Sequence, residues 1–349
     1  MTARRVSVRT RGLSLRVDLR VLAVLGILGA LTLVALTLNV GRGEFSIAPA
    51  DVLAALVGGG DETTRFVVLD LRLPRALTAI LVGIALGMSG AIFQDLARNG
   101  LVSPDVIGIS WGASLAAISV IVFGEATGAL TVPLAALGGA LAAGVLLYVL
   151  AWRGGVHGYR LVLVGIGLTT VFSAGVSYVL TQAMFFELQR AYVWLVGSLN
   201  DAGWEQVWPL SATLAVLLPL ALVLGRQLEA LQLGDDLARA LGVGVERARL
   251  ALIAIAIVLT GVAVSAAGPI AFVAFFAPHI ARRVCQTVSP SGVLPAAAAT
   301  GAFIVLGSDL AGRLLFGATQ LPVGIITSII AAPYFLYLLQ RANRVGATG

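Results

Sequence analysis

The sequence predicts an all-α polytopic membrane protein with about ten transmembrane helices. Three observations carry this. Of the 349 residues, 59% are hydrophobic and only 11% are charged, against roughly 25% charged in a soluble domain. The mean hydropathy is +0.99. Apolar runs of about 20 residues, the length a helix needs to cross a bilayer, recur from one end of the chain to the other. No segment has the composition of a separate soluble domain, so residues 1–349 read as one transmembrane domain.

The elements follow in order. Residues 1–20 are a polar segment with six arginines: Arg4, Arg5, Arg9, Arg11, Arg16 and Arg20. The first crossing, 21–39, is too long for a signal-peptide core and no A-x-A site follows it, so it reads as an uncleaved anchor. Gly41 to Asp70 is amphipathic and Gly-rich, with a short helix expected around Pro49 to Val57. Further crossings fall at 74–93, 106–123, 129–151, 160–182, 205–225, 249–267, 272–288, 293–313 and 321–340. Ten crossings return both termini to one side. Seventeen of the 23 arginines lie on that side, and six (Arg42, Arg65, Arg72, Arg75, Arg190, Arg313) lie opposite. The bias places both termini in the cytoplasm of a plasma-membrane protein. The formal charge of +6 is then an orientation signal in contact with membrane lipid, and no nucleic-acid partner is expected. Trp194, Trp204 and Trp208 suit interfacial anchoring.

Several chemistries are excluded. The chain contains no lysine, so it cannot carry a P-loop or a lysine Schiff base. A single cysteine, Cys285, permits neither an internal disulfide nor a Cys-cluster metal site. His157 and His279 have no evident ligand partners, so no metal site is expected. There is no H-E-x-x-H and no paired-carboxylate site at membrane depth, and an enzyme is a poor fit. A proton-driven carrier normally buries carboxylates or histidines along its path, and 106–123, 161–182 and 321–339 contain no Asp, Glu, Arg or His. Asp309 is the main exception. It precedes Arg313 by four residues, which lets the two pair on a helix at its outer end.

Gly83, Gly87 and Gly90 share one helix face and allow close helix approach. Gly268-Pro269, Ala277-Pro278 and Ala332-Pro333 point to broken or kinked helices of the kind that line transport paths. Ile80 to Phe93 weakly matches Ile257 to Phe272, either as an inverted repeat or by chance in Ala/Gly-rich sequence. In the loop Arg226 to Arg249, Leu237, Ala238, Leu241 and Val245 recur at helical spacing, and Gly242 and Gly244 bracket a turn. Two short surface helices are expected there, serving as a plain connector or docking in a partner's groove. The residues alone define a transporter or channel without its own motor, and an ion-coupled carrier stays open.

Five segments go further: L-R-L-P-R (71–75), S-G-A-I-F-Q (89–94), R-N-G-L-V-S-P-D-V-I-G-I-S-W-G-A (98–113), G-P-I-A-F-V-A-F-F-A-P-H-I-A-R (268–282) and L-P-V-G-I-I-T-S-I-I-A-A-P-Y-F (321–335). Together they resemble the FecCD family, permease subunits of type II ABC importers for iron–siderophore complexes, haem and vitamin B12. The resemblance implies that permease fold, a second identical or homologous permease, two cytoplasmic ABC ATPase subunits that bind ATP and Mg, and an extracytoplasmic substrate-binding protein. No cofactor is implied in this chain. It assigns Leu237, Ala238, Arg239, Leu241 and Gly242 to coupling with the ATPase, and Arg72, Arg75 and Arg313 to docking of the binding protein, with lipid-headgroup anchoring as the alternative. It assigns Gly165, Gly167, Thr169, Thr170 and Ser173 to the translocation path. Tyr192 to Asn200 is most similar to the ferric siderophore branch, with haem or cobalamin as the alternative cargo. Gly100, Ala271, Ala274, Gln320 and Ala331 depart from the family's usual residues.

Overall fold

The computed structural model describes residues 5–10, 13–42, 46–124, 128, 130–153, 155, 158–316 and 321–346. Arg4, Arg11, His157 and Gln320 lie outside the described residues. The chain begins with an antiparallel hairpin, β1 (Arg5–Thr10) and β2 (Leu13–Asp18), with Arg5 opposite Asp18 and Val8 opposite Leu15. The sequence reading gave this segment no structure, although its apolar and polar residues alternate with the strand period of two.

Fourteen helices follow among the described residues: α1 (Leu19–Gly41), α2 (Pro49–Leu56), α3 (Glu62–Phe66), α4 (Leu73–Ala97), α5 (Ile109–Phe123), α6 (Thr131–Ala151), α7 (Gly158–Thr181), α8 (Phe185–Val196), α9 (Trp204–Gln232), α10 (Asp235–Ala240), α11 (Val245–Ala267), α12 (Val273–Cys285), α13 (Pro290–Phe316) and α14 (Val323–Gly346). Wide π-type turns over Val67–Arg72 join α3 to α4. Ten of these helices coincide with the ten expected crossings, and α2 is the short helix expected near Pro49. Helix α8 was not anticipated. Its start is fixed by Glu187, which accepts the Met184 N–H at 2.9 Å.

Seven helices among the described residues are long and apolar enough to span a bilayer. The crossings expected at 106–123 and 272–288 need correction. Helix α5 has 15 residues and α12 has 13, about 22 and 20 Å at 1.5 Å per residue, short of a hydrocarbon core of about 30 Å. Their crossings are completed by non-helical chain at 98–108 and 268–272. Such backbone is tolerated at membrane depth only where protein covers it or a cavity hydrates it. The Gly268-Pro269 break falls where the sequence placed it, whereas Pro278 and Pro333 lie inside α12 and α14.

The core is α4, packed on α11, α12 and α13. Within the α4 span 78% of the apolar window is buried, against 17% for α1 and 22% for α7 and α9. Glycine makes this possible. A Cβ on Gly83 would lie 2.3 Å from the Gly301 carbonyl oxygen, on Gly87 2.2 Å from that of Ala297, and on Gly90 1.8 Å from that of Ala274. The glycine face of α4 is therefore a backbone-to-backbone seam with α13 and α12. On the opposite face Ser89 Oγ bonds the Ala256 carbonyl at 2.8 Å and lies 2.7 Å from Thr260 Oγ1 of α11, so the two segments with the weak internal match pack together.

Candidate functional site

Three regions carry the polar chemistry, one at each end of the bundle and one within it. At the end where α1 and α13 finish and α4 begins, Asp309 is a hub. Its side chain is 2% exposed and takes Arg75 Nη2 at 2.6 Å and Arg313 Nη2 at 3.3 Å. Arg75 Nε reaches it at 3.1 Å, and Asn39 Nδ2 of α1 donates to it at 2.9 Å. Arg72 Nη1 donates to the Val40 carbonyl at 2.9 Å. The expected Asp309–Arg313 pair forms, and the three arginines assigned to docking do come together. They are turned inward, however, with Arg72 and Arg75 each 8% exposed. Within this cluster one carboxylate serves three guanidiniums. The sequence reading missed Arg75 as the main partner of Asp309, and missed Asn39, a polar residue inside an apolar run and therefore a legible signal.

At the other end lies the 226–249 loop. Its expected two helices are corrected to one: α9 runs through to Gln232, leaving only α10 and a turn before α11. Gly242 has φ +81, and the N–H groups of Gly242 and Val243 bond the carbonyls of Arg239 and Ala238 at 2.9 and 3.0 Å. These two bonds make a Schellman ending. Ala238 is buried, whereas Leu233, Leu237 and Leu241 are 58–65% exposed at a spacing of four. Arg239 is exposed and bonds Asp236 at 3.0 Å. A short apolar ridge thus projects from the end richest in arginine. Beneath it, Arg249 of α11 pairs with Asp235 at 2.8 Å, and Arg282 of α12 pairs with Asp95 of α4 at 2.8 Å.

Between the ends, a cavity of about 480 Å³ is lined by Ser103, Asp105 and Val106 of the 98–108 segment, Thr169 and Thr170 of α7, and Phe272. Thr169 Oγ1 donates to the Val106 carbonyl at 2.9 Å. Gly165 is buried, and a Cβ there would lie 2.7 Å from Ile107 Cα. It packs against the loop and does not face the cavity. Gly167 and Thr170 are exposed, while Thr169 and Ser173 are half-buried. The exposed stripe of α7 carries the hydroxyls of Thr170 and Ser177 among glycine and apolar residues, whereas the exposed residues of α1 include glycine but no hydroxyl. Gly108 to Gly112 (G-I-S-W-G) spells G-x-S-x-G, which corrects the expectation that the chain holds no such motif. Its Ser110 hydroxyl donates to Asp105 at 2.6 Å at the start of α5; the motif follows a non-helical segment and not a strand, and among the described residues no histidine bonds it, which is not the strand–turn–helix setting of a nucleophile elbow. Asp105, at membrane depth beside the cavity, was also missed because it sits just outside an assigned crossing. Among the described residues no three His, Cys, Asp or Glu converge to hold a metal.

A polytopic helical membrane protein with interrupted helices beside a half-open cavity and exposed leucines at its basic end is a permease subunit in architecture. Residues 31–341 match the FecCD transport family, and the chain belongs to that family. It is 41% identical over 340 residues to the achromobactin transport system permease of Dickeya dadantii, covering 97% of this chain and 93% of the relative. It is 40% identical over 303 residues to the ferric enterobactin transport system permease of Escherichia coli, covering 86% and 91%. In structure it is similar to a chain described as an inward-facing conformation of a metal-chelate type ABC transporter. The TM-score is 0.80 at 26% identity, over 92% of this chain and 99% of the other.

Proposed function

We propose that this chain is the permease subunit of an ABC importer that carries ferric siderophore complexes across the plasma membrane, with both termini in the cytoplasm. The observation that carries the mechanism is the exposed Leu233/Leu237/Leu241 ridge on and around α10. Leu237 and Leu241, exposed one helical turn apart with Leu233 just before the helix, fit an apolar groove of a partner, and the partner is an ATPase, since no lysine exists here to hold a nucleotide phosphate. Leu237 and Leu241 make the contact, Ala238 seats α10 on the protein, Arg239 flanks it, and Gly242 sets its turn. ATP and Mg belong to the two ATPase subunits. Two permeases, identical or homologous, place their α7 stripes face to face, so that Gly167, Thr169, Thr170 and Ser173 line a passage with weak contacts for a bulky cargo. Gly165 seats that helix. Arg72, Arg75 and Arg313 offer guanidiniums that can pair with carboxylates of an extracytoplasmic binding protein. The names of the relatives support siderophore cargo. Iron travels inside its chelator, as substrate.

The test is purification from the native membrane in mild detergent followed by reconstitution. An ATPase with a Walker lysine should accompany the chain, and uptake of radiolabelled ferric siderophore should require ATP and the binding protein. Uptake of haem or cobalamin instead would reassign the cargo. Uptake that survives ATP depletion and collapses with an ion gradient would refute the importer.

A further inference from the structure

One side chain links the α10 ridge to the cavity. Arg98, the residue after α4, has φ +50, a left-handed backbone uncommon outside glycine, and it turns the chain into the 98–108 segment. Its Nη2 donates to the Leu231 carbonyl in the last turn of α9 and lies 3.9 Å from Asp235 Oδ1 at the first residue of α10. Asp235 is gripped from the other side by Arg249 of α11. The backbone on either side of Arg98 meets α7 and α12, two helices that further along line the cavity. A Cβ on Gly158, the first residue of α7, would lie 2.7 Å from the Ala97 carbonyl oxygen. Two residues further, the Gly100 carbonyl accepts His279 Nε2 of α12 at 2.9 Å. The segment then reaches Val106, whose carbonyl accepts the Thr169 hydroxyl.

We propose that Arg98 is a positioning residue that transmits displacement of α10 to the 98–108 segment and the start of α7, and so ties ATP use to the shape of the path. This rests on the coupling role proposed above for α10. Without Arg98, α10 stays fastened to α11 through Asp235 and Arg249 but loses its link to α4. The Arg98 side chain is 51% exposed, so its carbonyl bond and placement matter more than Coulomb attraction, which is weak at such sites. Spatial continuity alone is not coupling, and the test must measure coupling.

The assay uses the complete importer in vesicles, with ATP hydrolysis and uptake followed in the same sample. Arg98→Asn removes the guanidinium and keeps the turn, because asparagine tolerates the left-handed region. Cargo delivered per ATP should fall about tenfold, within the range of coupling between sites, while the ATPase co-purifies as with wild type. Arg98→Lys should recover part of the loss, and Arg98→Asn with Asp235→Asn should lose less than the sum of the two. An unchanged ratio, additive losses, or failure of the ATPase to co-purify with both Arg98 variants would overturn the proposal. Wild-type complex that takes up nothing on ATP would instead overturn the coupling reading of α10.

Discussion

Replacing Asp309 by alanine should destabilise the arginine end of the bundle by about 3–5 kcal/mol, the cost of stranding the partner of a buried charge. The magnitude follows from what the carboxylate holds. From α13 it ties α4 through Arg75 at 2.6 and 3.1 Å and α1 through Asn39 at 2.9 Å, and it also holds Arg313 of its own helix at 3.3 Å. Side-chain exposure is 10% for Arg75 and 14% for Arg313, so water cannot replace the lost anion without opening the packing. Removing the acid leaves two buried guanidiniums facing one another with Arg72 close by. Forming a buried ion pair gains little on balance, because both ions lose hydration, and the large penalty belongs to breaking it one-sidedly. Arg75→Ala should therefore also cost several kcal/mol, and Asp309→Leu with Arg75→Met should cost less than the two single changes together. The assay is the apparent Tm in a fixed mild detergent, read by tryptophan fluorescence and by survival of the monodisperse peak, at low and high salt. Salt should alter the loss little, since buried pairs are weakly screened. An Asp309→Ala chain with wild-type Tm, or a double variant whose loss equals the sum, would refute the hub.

The other predictions concern glycine. Gly242→Pro should abolish ATP-driven uptake while the chain still inserts, because proline cannot adopt φ +81 and lacks the N–H that bonds the Arg239 carbonyl; unimpaired uptake would contradict the coupling role of α10. Gly242→Ala should give a partial loss, since nothing lies within 4 Å of the added Cβ and only the left-handed backbone, roughly 1–2 kcal/mol, opposes it. Gly90→Leu should lower the yield of folded protein, with a cost of about 1–3 kcal/mol or more, because its Cβ would sit 1.8 Å from the Ala274 carbonyl oxygen; normal yield and Tm would dissolve the α4 seam. A Cβ on Gly167, which is exposed, meets nothing within 4 Å, so Gly167→Leu should fold normally and impair uptake, and full uptake would take Gly167 off the path.

The helical membrane fold was legible because hydropathy acts over about 20 residues at a time and needs no tertiary knowledge. The seam of Gly83, Gly87 and Gly90 was legible for a similar reason: three small residues on one face imply close approach, though not the partners Gly301, Ala297 and Ala274. The same averaging hid the interruptions. Residues 106–108 are as apolar as the α5 they precede, so a window cannot see that the helix begins only at Ile109. Gly268-Pro269 was visible because glycine and proline act on the backbone locally. The N-terminal hairpin and α8 were missed because both are short, and short-range pattern was read there only for charge.

The site residues divide along the same line. The Asp309–Arg313 pair was readable because four residues on a helix fix its geometry. Arg75, Arg98 and Arg282 find their acids at Asp309, Asp235 and Asp95, 234, 137 and 187 residues away, and no local rule selects those acids. Residue type still constrained the outcome. In a chain with 17 acidic residues and 23 basic ones, an arginine that the fold buries must find a carboxylate or a carbonyl. Arg75, Arg249 and Arg282 take carboxylates. Arg72 takes the Val40 carbonyl, and Arg98 takes the Leu231 carbonyl with Asp235 beside it. These ties lie at the two ends of the bundle, while the α4 seam with α12 and α13 is held by glycine contacts that let helices lie close without fixing them by charge. That division puts directional bonds at the ends of the bundle and close backbone packing along the α4 seam, so a pull on either end meets bonds of fixed geometry before it reaches contacts that resist sliding only by shape.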